Sequence, residues 1–336
     1  MKKVLFGLFL LTLGYTAKAQ QDYQFTHYMY DKLSFNPGYA GLNKSICGTL
    51  IFREQWADFS GNPTTALINV HSPVKMLRGG LGFTYVSDKL GFESNNLARL
   101  SYSYHMGLGV GDLGIGISAG ILQKSIQADW ITPDGTPAID DASIAVSGAY
   151  GLVPDFNLGV FYQQNQLYMG ISVTHLYAPD LTDLKDTSNN SFLAQLVKDP
   201  DDPALWEGNN LNISNAKHFW ITAGYEYDMG PDLKLRPSIL AKSDAASTQL
   251  DVNINVLYKS MIWGGVSYRV SDAIAPMVGY QNNDVGGGTL RIGYAYDVTT
   301  SQIKGYSNGS HDIMVNYCFN LDKPKPLQKS KNPRFL

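Results

Sequence analysis

The feature that most constrains the fold is a period-two alternation of apolar and polar side chains, which recurs in segments of about ten residues along most of the chain. In one segment, Leu250, Val252 and Ile254 alternate with Asp251 and Asn253. This pattern predicts β-strands with one apolar and one polar face. About ten residues is the length that a tilted strand needs to cross a membrane, whereas strands of soluble sandwiches usually have about five or six. We therefore expect the apolar faces to meet lipid and the polar faces to line an enclosed lumen.

We predict fourteen such strands. A further candidate, residues 142–150, is short and weakly patterned. Single-chain barrels of bacterial outer membranes have an even number of strands, so we interpret 142–150 as a loop or as an extension of a neighbouring strand. The predicted fold class is all-β, a transmembrane antiparallel β-barrel of about 14 strands. The strands are 46–54, 64–72, 78–87, 96–106, 112–123, 155–163, 166–176, 216–228, 232–242, 247–258, 260–270, 273–281, 286–297 and 311–320.

The lengths of the predicted connections alternate. All the long connections follow odd-numbered strands, and the connections after even-numbered strands are short. Outer-membrane barrels have short periplasmic turns and longer external loops, so this pattern predicts that both chain ends lie on the periplasmic side. The long connections are 55–63, 88–95, 124–154, 177–215 and 298–310.

The composition agrees with a membrane barrel. Charged residues make up 16% of the chain, against roughly 25% in a typical soluble domain. The 21 Tyr outnumber the 14 Phe, as expected for amphipathic rings at a membrane boundary. No apolar run of about 20 residues, as a membrane helix needs, occurs beyond the extreme N-terminus. A net charge of -3 gives no reason to expect nucleic-acid binding.

The first 19 residues have the three parts of a secretory signal peptide. Lys2 and Lys3 form a positive region, Val4 begins an apolar run that ends at Leu13, and Ala17-Lys18-Ala19 matches a cleavage site. We therefore expect an exported protein whose mature chain begins at Gln20.

The mature chain divides into three predicted parts. Residues 20–45 are rich in aromatic side chains but lack strand alternation, so we expect them to plug the lumen or to pack on the periplasmic rim. Residues 46–320 form the barrel. Residues 321–336 form a basic periplasmic C-terminal tail, which Pro324 and Pro326 keep extended.

No stretch has the pattern of a catalytic, cofactor or metal site. Gly109-Val-Gly111-Asp-Leu-Gly114 matches the dinucleotide fingerprint in letters, but it lies between alternating strands and lacks the strand–helix context. The serine of Gly116-Ile-Ser118-Ala-Gly120 lies within a strand and not on a nucleophile elbow. The six histidines have no zinc-site spacing. We expect a protein that is not an enzyme and has no cofactor.

Two cysteines occupy strands that must pair if the barrel closes. Cys47 lies early in the first strand and Cys318 late in the last, both with inward parity. In an oxidising periplasm they could form a disulfide across the seam if the register brings them together. The alternative is a pair of small buried thiols.

Distinctive sequences stand at both ends of the mature chain. They are Gln21-Asp-Tyr-Gln-Phe-Thr-His-Tyr-Met-Tyr30, Phe35-Asn-Pro-Gly-Tyr-Ala-Gly41, Phe52-Arg-Glu-Gln-Trp56, Phe59-Ser-Gly-Asn-Pro63, His71-Ser-Pro73, His311-Asp-Ile-Met-Val-Asn-Tyr317 and Asn332-Pro-Arg-Phe-Leu336. These stretches resemble the PorP/SprF family of outer-membrane proteins from the type IX secretion and gliding machinery. The first two resemble the family's "QDPQFTQYMYN…NPAYAG" signature, with Tyr23 in place of the usual proline.

The resemblance implies an outer-membrane component of the type IX secretion system that helps to secrete and anchor surface proteins. It implies cargo such as large gliding adhesins with a type B C-terminal domain. It also implies contact with periplasmic ring components and a peptidoglycan-binding lipoprotein. The alternative function is a porin-like transporter of small solutes, which would need an open polar lumen.

Two sets of residues are candidates for binding partners. Arg53 and Trp56, near the first outer loop, are of types favoured at interface hot spots, although Arg53 could equally pair with a luminal carboxylate such as Asp251 or Glu226. The loop 177–215 carries seven acidic residues against two lysines, and it either binds cargo or is a solvated segment. The cargo or partner candidates are Arg53, Gln55, Trp56, Phe59, Asp199, Asp201, Asp202 and Trp206; those for docking to the machinery are Tyr28, Tyr30, Asn36, Pro37, Asn332, Pro333, Arg334, Phe335 and Leu336.

Overall fold

The structure, a computed structural model, describes residues 22–127, 149–176 and 216–321, with the backbone alone at residues 149 and 150. These residues form one antiparallel sheet. Among the described residues, no helix has the length and apolar character to cross a membrane. The strands are β1 (Ser45–Glu54), β2 (Thr64–Val74), β3 (Gly79–Leu90), β4 (Glu93–Leu108), β5 (Gly111–Ile126), β6 (Ala149–Gln163), β7 (Leu167–Thr174), β8 (His218–Tyr225), β9 (Tyr227–Asp228), β10 (Leu233–Ser243), β11 (Thr248–Tyr258), β12 (Ile262–Arg269), β13 (Ala273–Val285), β14 (Gly288–Thr299) and β15 (Ser310–Asn320).

The sheet closes into a barrel of fourteen long strands with one short extra strand. Consecutive strands pair as neighbours, β10 pairs with both β8 and β11, and β1 pairs with β15 to complete the circle. The extra strand is the two-residue β9, which pairs with β10. Closure leaves no unpaired long edge in the sheet, and it confirms the predicted fold class.

The two faces of the wall alternate as the sequence predicts. In β1, Leu50 and Phe52 point outward and are about half exposed, whereas Thr49 and Arg53 point inward and are buried. In β11, Asp251 is fully buried. An apolar outer surface of this extent is unstable in water but suits a lipid-facing wall.

Two predicted boundaries need correction. The connection predicted at 124–154 is shorter, because β5 continues to Ile126 and β6 begins at Ala149. Residues 149–150 thus extend a neighbouring strand, one of the two interpretations of 142–150, and residues 128–148 lie outside the described part. The single strand predicted at 216–228 is divided into β8 and β9 at Glu226, whose N–H bonds to the Gln166 carbonyl at 2.7 Å.

The lumen is less polar than the alternation suggests. Part of it is a cluster of inward-facing apolar side chains, packed against Phe25 of the N-terminal segment. Charges and amides occupy the rest of the inner face. The apolar members from the wall include Ile51, Leu67, Val86, Leu97, Leu122, Leu257, Trp263, Met277 and Met314.

Candidate functional site

The candidate site is the barrel lumen, which is crossed by residues 22–44, hereafter the N-terminal segment. Its first residue, Asp22, contacts His218, at the start of β8 and therefore at the end of the barrel with the long connections. Near its other end, Asn43 donates to Cys47 Sγ, at the start of β1 and the end with the short turns. The N-terminal segment therefore runs along the lumen from the long-loop end to the short-turn end.

At the long-loop end, wall carboxylates accept hydrogen bonds from the N-terminal segment. Gln24 Nε2 donates to Asp251 Oδ2 at 2.8 Å, and the Thr26 N–H donates to Asp312 Oδ2 at 2.9 Å. His27 Nδ1 lies 2.6 Å from Asp312 Oδ1, and both side chains are fully buried. Charge-assisted bonds of this kind are about twice as strong as neutral ones, so this stretch is fixed in register against the wall.

Two arginines form ion pairs with the buried carboxylates at this end and so neutralise part of their charge. Arg53 Nη2 lies 2.7 Å from Asp297 Oδ2, and its Nη1 donates to Thr26 Oγ1 at 2.9 Å. Arg269 bridges Asp297 at 3.0 Å and Asp251 at 3.2 Å. Buried charges persist when each has a partner, and here the hydroxyl of the N-terminal segment is itself one of those partners.

Asp22 and two histidines form a second charged cluster at the same end. Asp22 Oδ1 lies 2.8 Å from His175 Nε2, and Asp155 Oδ1 lies 2.5 Å from His175 Nδ1. Burial alone lowers the pKa of His175, but these two carboxylates outweigh it and raise the pKa to about 9. Burial raises the pKa of Asp22, but the charges of His175 and Lys242 hold it below its usual range. Asp22 is therefore a carboxylate docked on an imidazolium.

Asp22, His175 and His218 also have the composition of a metal site, with potential ligand atoms within 4.8 Å of one another. Their hydrogen bonds argue against that role. The Asp22 N–H donates to His218 Nε2 at 3.2 Å, and His218 Nδ1 donates to the Ala216 carbonyl at 3.0 Å. Both nitrogens of His175 face carboxylates, and a protonated imidazole has no lone pair for a metal. The cluster is thus an ion-pair network that holds the start of the N-terminal segment.

Further along, the N-terminal segment approaches the wall through glycines. A Cβ added at Gly114 would lie 2.1 Å from the Gly38 oxygen, and one added at Gly116 would lie 2.3 Å from the Gly38 nitrogen. At Gly159 an added Cβ would lie 2.2 Å from Asn36 Oδ1. Any larger side chain at these positions would collide with the N-terminal segment, so the glycine-rich strings of β5 serve close backbone packing.

Backbone groups complete this contact. Asn36 Nδ2 donates to the carbonyls of Val160 and Ile171, each at 3.1 Å, and its Oδ1 accepts from the Gly38 N–H at 2.9 Å. Ser103 Oγ donates to the Gly38 carbonyl at 2.8 Å. The asparagine of the Asn-Pro-Gly signature thus joins two wall strands to the turn Pro37–Tyr39.

At the short-turn end, Cys47 and Cys318 are joined by a disulfide. They are direct partners in the pairing of β1 with β15, with a Cα–Cα distance of 4.1 Å. Of the two alternatives that the sequence left open, the structure has the disulfide and not the free thiols. It links the first and last strands at the closure of the barrel.

Three connections form a rim at the long-loop end. The connection 55–63 is bonded to 300–309 in both directions, from the Ala57 N–H to the Gly309 carbonyl at 2.7 Å and from the Asn308 N–H to the Ala57 carbonyl at 3.0 Å. It is bonded to the turn after β3 by the Gly91 N–H, which donates to the Gly61 carbonyl at 3.0 Å. These bonds hold the three connections together as one surface.

Large side chains are exposed on this rim. Phe59 is 42% exposed, Phe92 61% and Tyr306 76%, while Trp56 is half-buried beside them. Exposed aromatic side chains next to an ordered backbone are typical of protein-binding surfaces.

Only some of the candidates for cargo binding lie on the rim. Trp56 and Phe59 lie on the rim with Gln55, which is half-buried. Arg53 is buried and paired with Asp297 and Asp312. The interpretation that Arg53 pairs with a luminal carboxylate is therefore correct, but its partners are not Asp251 and Glu226, the examples suggested by the sequence. The remaining cargo candidates, Asp199, Asp201, Asp202 and Trp206, lie outside the described residues.

The docking candidates in the N-terminal segment face the lumen. Tyr28, Asn36 and Pro37 are buried, and Tyr30 is half-buried. None of the four lies on an outer surface of the barrel. The candidates Asn332, Pro333, Arg334, Phe335 and Leu336 lie outside the described residues.

The luminal residues that bind the N-terminal segment were missed by the sequence analysis. Asp297, Asp312 and Arg269 carried a weak signal, because charged residues at inward positions of a barrel strand need partners. Gly114 and Gly116 belong to strings that match enzyme motifs in letters only, and the signal for their packing role is the repetition of glycine on one face of β5.

The sequence matches one protein family, and the fold is similar to that of several solved outer-membrane proteins. The model of the family described as "Type IX secretion system membrane protein PorP/SprF" matches residues 17–317. No curated protein matches this chain. The solved structures similar to it include the Ralstonia pickettii toluene transporter TbuX, at 9% identity and a TM-score of 0.46 over 86% of this chain and 93% of that one. They also include the Acinetobacter baumannii outer membrane protein Omp33, at 7% identity and a TM-score of 0.41 over 82% of this chain and 98% of that one.

Those likenesses are too weak to carry functional information, whereas the family match spans most of the sequence. It is consistent with a closed barrel that has an apolar outer face. The chain therefore belongs to the PorP/SprF family of type IX secretion system membrane proteins and is an integral protein of the outer membrane.

Proposed function

We propose that this protein is a closed, non-conducting barrel that helps to secrete surface proteins and retains them at its long-loop end, while its short-turn end is linked to periplasmic machinery. The observation that supports this proposal best is the N-terminal segment. Its contacts extend along the lumen from Asp22 to Asn43, with ion pairs at one end and close backbone packing at the other. A porin-like barrel needs an open, water-filled lumen, whereas here the N-terminal segment occupies it.

The proposed cargo surface is the aromatic rim together with loop 177–215. The cargo would be a gliding-adhesin-like protein with a type B C-terminal domain, and Trp56 and Phe59 would be its first contacts. The proposed periplasmic partners are ring components and a peptidoglycan-binding lipoprotein, with residues 321–336 as their docking segment. Arg53 would support the cargo surface indirectly, by holding the barrel wall beneath it.

Single-channel recording in planar bilayers tests the closed lumen. We expect the mature protein to conduct little, and a variant lacking residues 22–44 to give large steady currents. Large currents from the intact protein would favour the porin-like alternative instead.

Surface display in cells tests the cargo role. Replacing loop 177–215 by a short turn, or Phe59 by alanine, should leave barrel insertion intact and reduce cargo retention. After deletion of residues 321–336 the barrel should still insert into the membrane and still be able to display cargo, but fewer periplasmic components should co-purify with it. Met76, which is 88% exposed at the opposite end, provides a control as Met76→Ala. Normal display in the loop variant would place the cargo surface elsewhere.

A further inference from the structure

A cavity of about 360 Å³ lies at the short-turn end of the lumen, between the N-terminal segment and the wall. Its lining includes Asn165 and Gln166 of the turn between β6 and β7, and Asn320 at the end of β15. These three side chains are exposed, so the cavity reaches the rim that faces the periplasm in outer-membrane barrels. Its volume is in the range of ligand sites, about 300–1,000 Å³.

The cavity has an excess of positive charge. Lys32, Arg236 and Arg291 line it, and Glu226 is the one carboxylate among its lining residues. Glu226 already has two cationic partners, Arg236 at 2.6 Å and Lys234 at 2.6 Å. Its charge is therefore not available to balance the other two cations.

Lys32 and Arg291 have no carboxylate within 4.0 Å among the residues that the structure describes. Arg291 donates to amide oxygens, those of Gln281 at 3.0 Å and Asn316 at 2.9 Å. The Lys32 ammonium lies 3.6 Å from the centroid of the Tyr168 ring. The cations thus repel one another in a site that lacks a matching anion.

The rest of the lining indicates what kind of anion fits. Eight amide side chains line the cavity, and an amide carries both a donor and an acceptor, as a peptide backbone requires. In Asn43, Gln166 and Asn316 both groups already have partners within the protein, whereas Gln163 Oε1 and Asn255 Oδ1 are buried without a hydrogen-bond partner among the described residues. Four tyrosines supply flat walls for apolar groups. The planar arginine fork matches the two oxygens of a carboxylate. The amides are Asn43, Gln163, Gln164, Asn165, Gln166, Asn255, Asn316 and Asn320, and the tyrosines are Tyr30, Tyr39, Tyr168 and Tyr225.

We propose that this cavity is a binding site for an acidic peptide segment that enters from the periplasmic side and places a carboxylate between Lys32 and Arg291. The site does not depend on the cargo role proposed above, because it lies at the other end of the barrel and uses none of the rim residues.

Calorimetric titration of the purified full-length protein in detergent tests the site. The probes are acetyl-Gly-Glu-Gly-amide, its Gly-Gln-Gly counterpart and succinate. We expect the glutamate peptide to bind at least about tenfold more tightly than the glutamine peptide, since a charge-assisted hydrogen bond is about twice as strong as a neutral one. Lys32→Met and Arg291→Gln should each lower the affinity for the glutamate peptide by a similar factor. Lys304→Met, at an exposed lysine of the long-loop end, should leave binding unchanged.

Equal affinity for the two peptides, no binding of any probe, or unchanged binding in both cavity variants would overturn the proposal. Binding of succinate but not of the glutamate peptide would assign the cavity to a free solute and overturn the peptide assignment. Heat-modifiability on gels checks that each variant is folded. If Arg291→Gln does not fold, Lys32→Met and Arg291→Lys provide the test, with Arg291→Lys expected to keep the preference for the glutamate peptide but to bind it more weakly, because lysine keeps the charge and lacks the planar fork.

Discussion

The two ends of the N-terminal segment are held against the same wall by different interactions. Residues 22–27 are held by charge, through carboxylates and arginines on β1, β11, β12, β14 and β15. Residues 36–41 are held by close packing against wall glycines and by hydrogen bonds from side chains to backbone carbonyls. The charged end lies beside the long loops, and the glycine-packed end lies beside the short turns.

This difference predicts different sensitivities. An ion-pair network is destabilised when one member is removed, because the buried charges that remain are no longer fully neutralised. A close backbone contact fails when side-chain volume is added. The charged end should therefore respond to charge and pH, and the glycine-packed end to the size of wall residues.

The largest effect is expected from Asp297→Ala. This change removes the carboxylate that Arg53 and Arg269 share, at a cost of about 3–5 kcal/mol, as is usual when a buried pair loses one partner. Urea unfolding of the protein in lipid vesicles measures this change in the free energy of unfolding. The exposed Asp284→Ala should change the free energy of unfolding by about 0.5 kcal/mol or less.

Amide hydrogen exchange locates the Asp297→Ala effect. Exchange should accelerate most in peptides covering residues 22–31 and least in those covering 34–44. Equal acceleration in both would mean that the N-terminal segment is held as a single unit, and the distinction between its two ends would not stand.

A smaller effect, about 1–3 kcal/mol, is expected from Gly116→Ala, because overpacking of a close contact costs that much. The added Cβ would lie 2.3 Å from the Gly38 nitrogen. Here exchange should accelerate in residues 34–44 and remain slow in 22–31. Gly107→Ala is the matched control, since an added Cβ at Gly107 has nothing within 4 Å.

The wall could be predicted from the sequence because its signal is local. Alternation within β11 gives both of its faces without knowledge of any other strand, and the lengths of the connections indicate which end is which. The boundaries of β5 and β6 were less accurate, since alternation weakens where strands extend beyond the membrane.

The contacts of the lumen could not be predicted because they depend on register and closure. Thr26 and Asp297 are 271 positions apart in the chain. Nothing in the alternation distinguishes Asp297 from Asp251 or Glu226 as the partner of Arg53. The disulfide has the same origin: only the pairing of β1 with β15 determines whether Cys47 and Cys318 face each other.

The smallest effect is expected from pH, and it should be confined to the charged end. The pKa of His175 is raised to about 9 with the segment docked, above the ordinary value of about 6.5. Docking adds the carboxylate of Asp22 to that of the wall residue Asp155, so the docked state holds this proton more tightly than the undocked state, and the contribution of His175 is present at lower pH and is lost as the pH rises through 9. Exchange in residues 22–26 should accelerate over this range beyond the intrinsic rise, for which peptides covering 36–41 serve as the internal reference. In Asp22→Asn the additional acceleration should largely disappear, because the carboxylate that faces His175 Nε2 is gone; if the wild type and this variant show the same pH profile, His175 does not hold the start of the N-terminal segment.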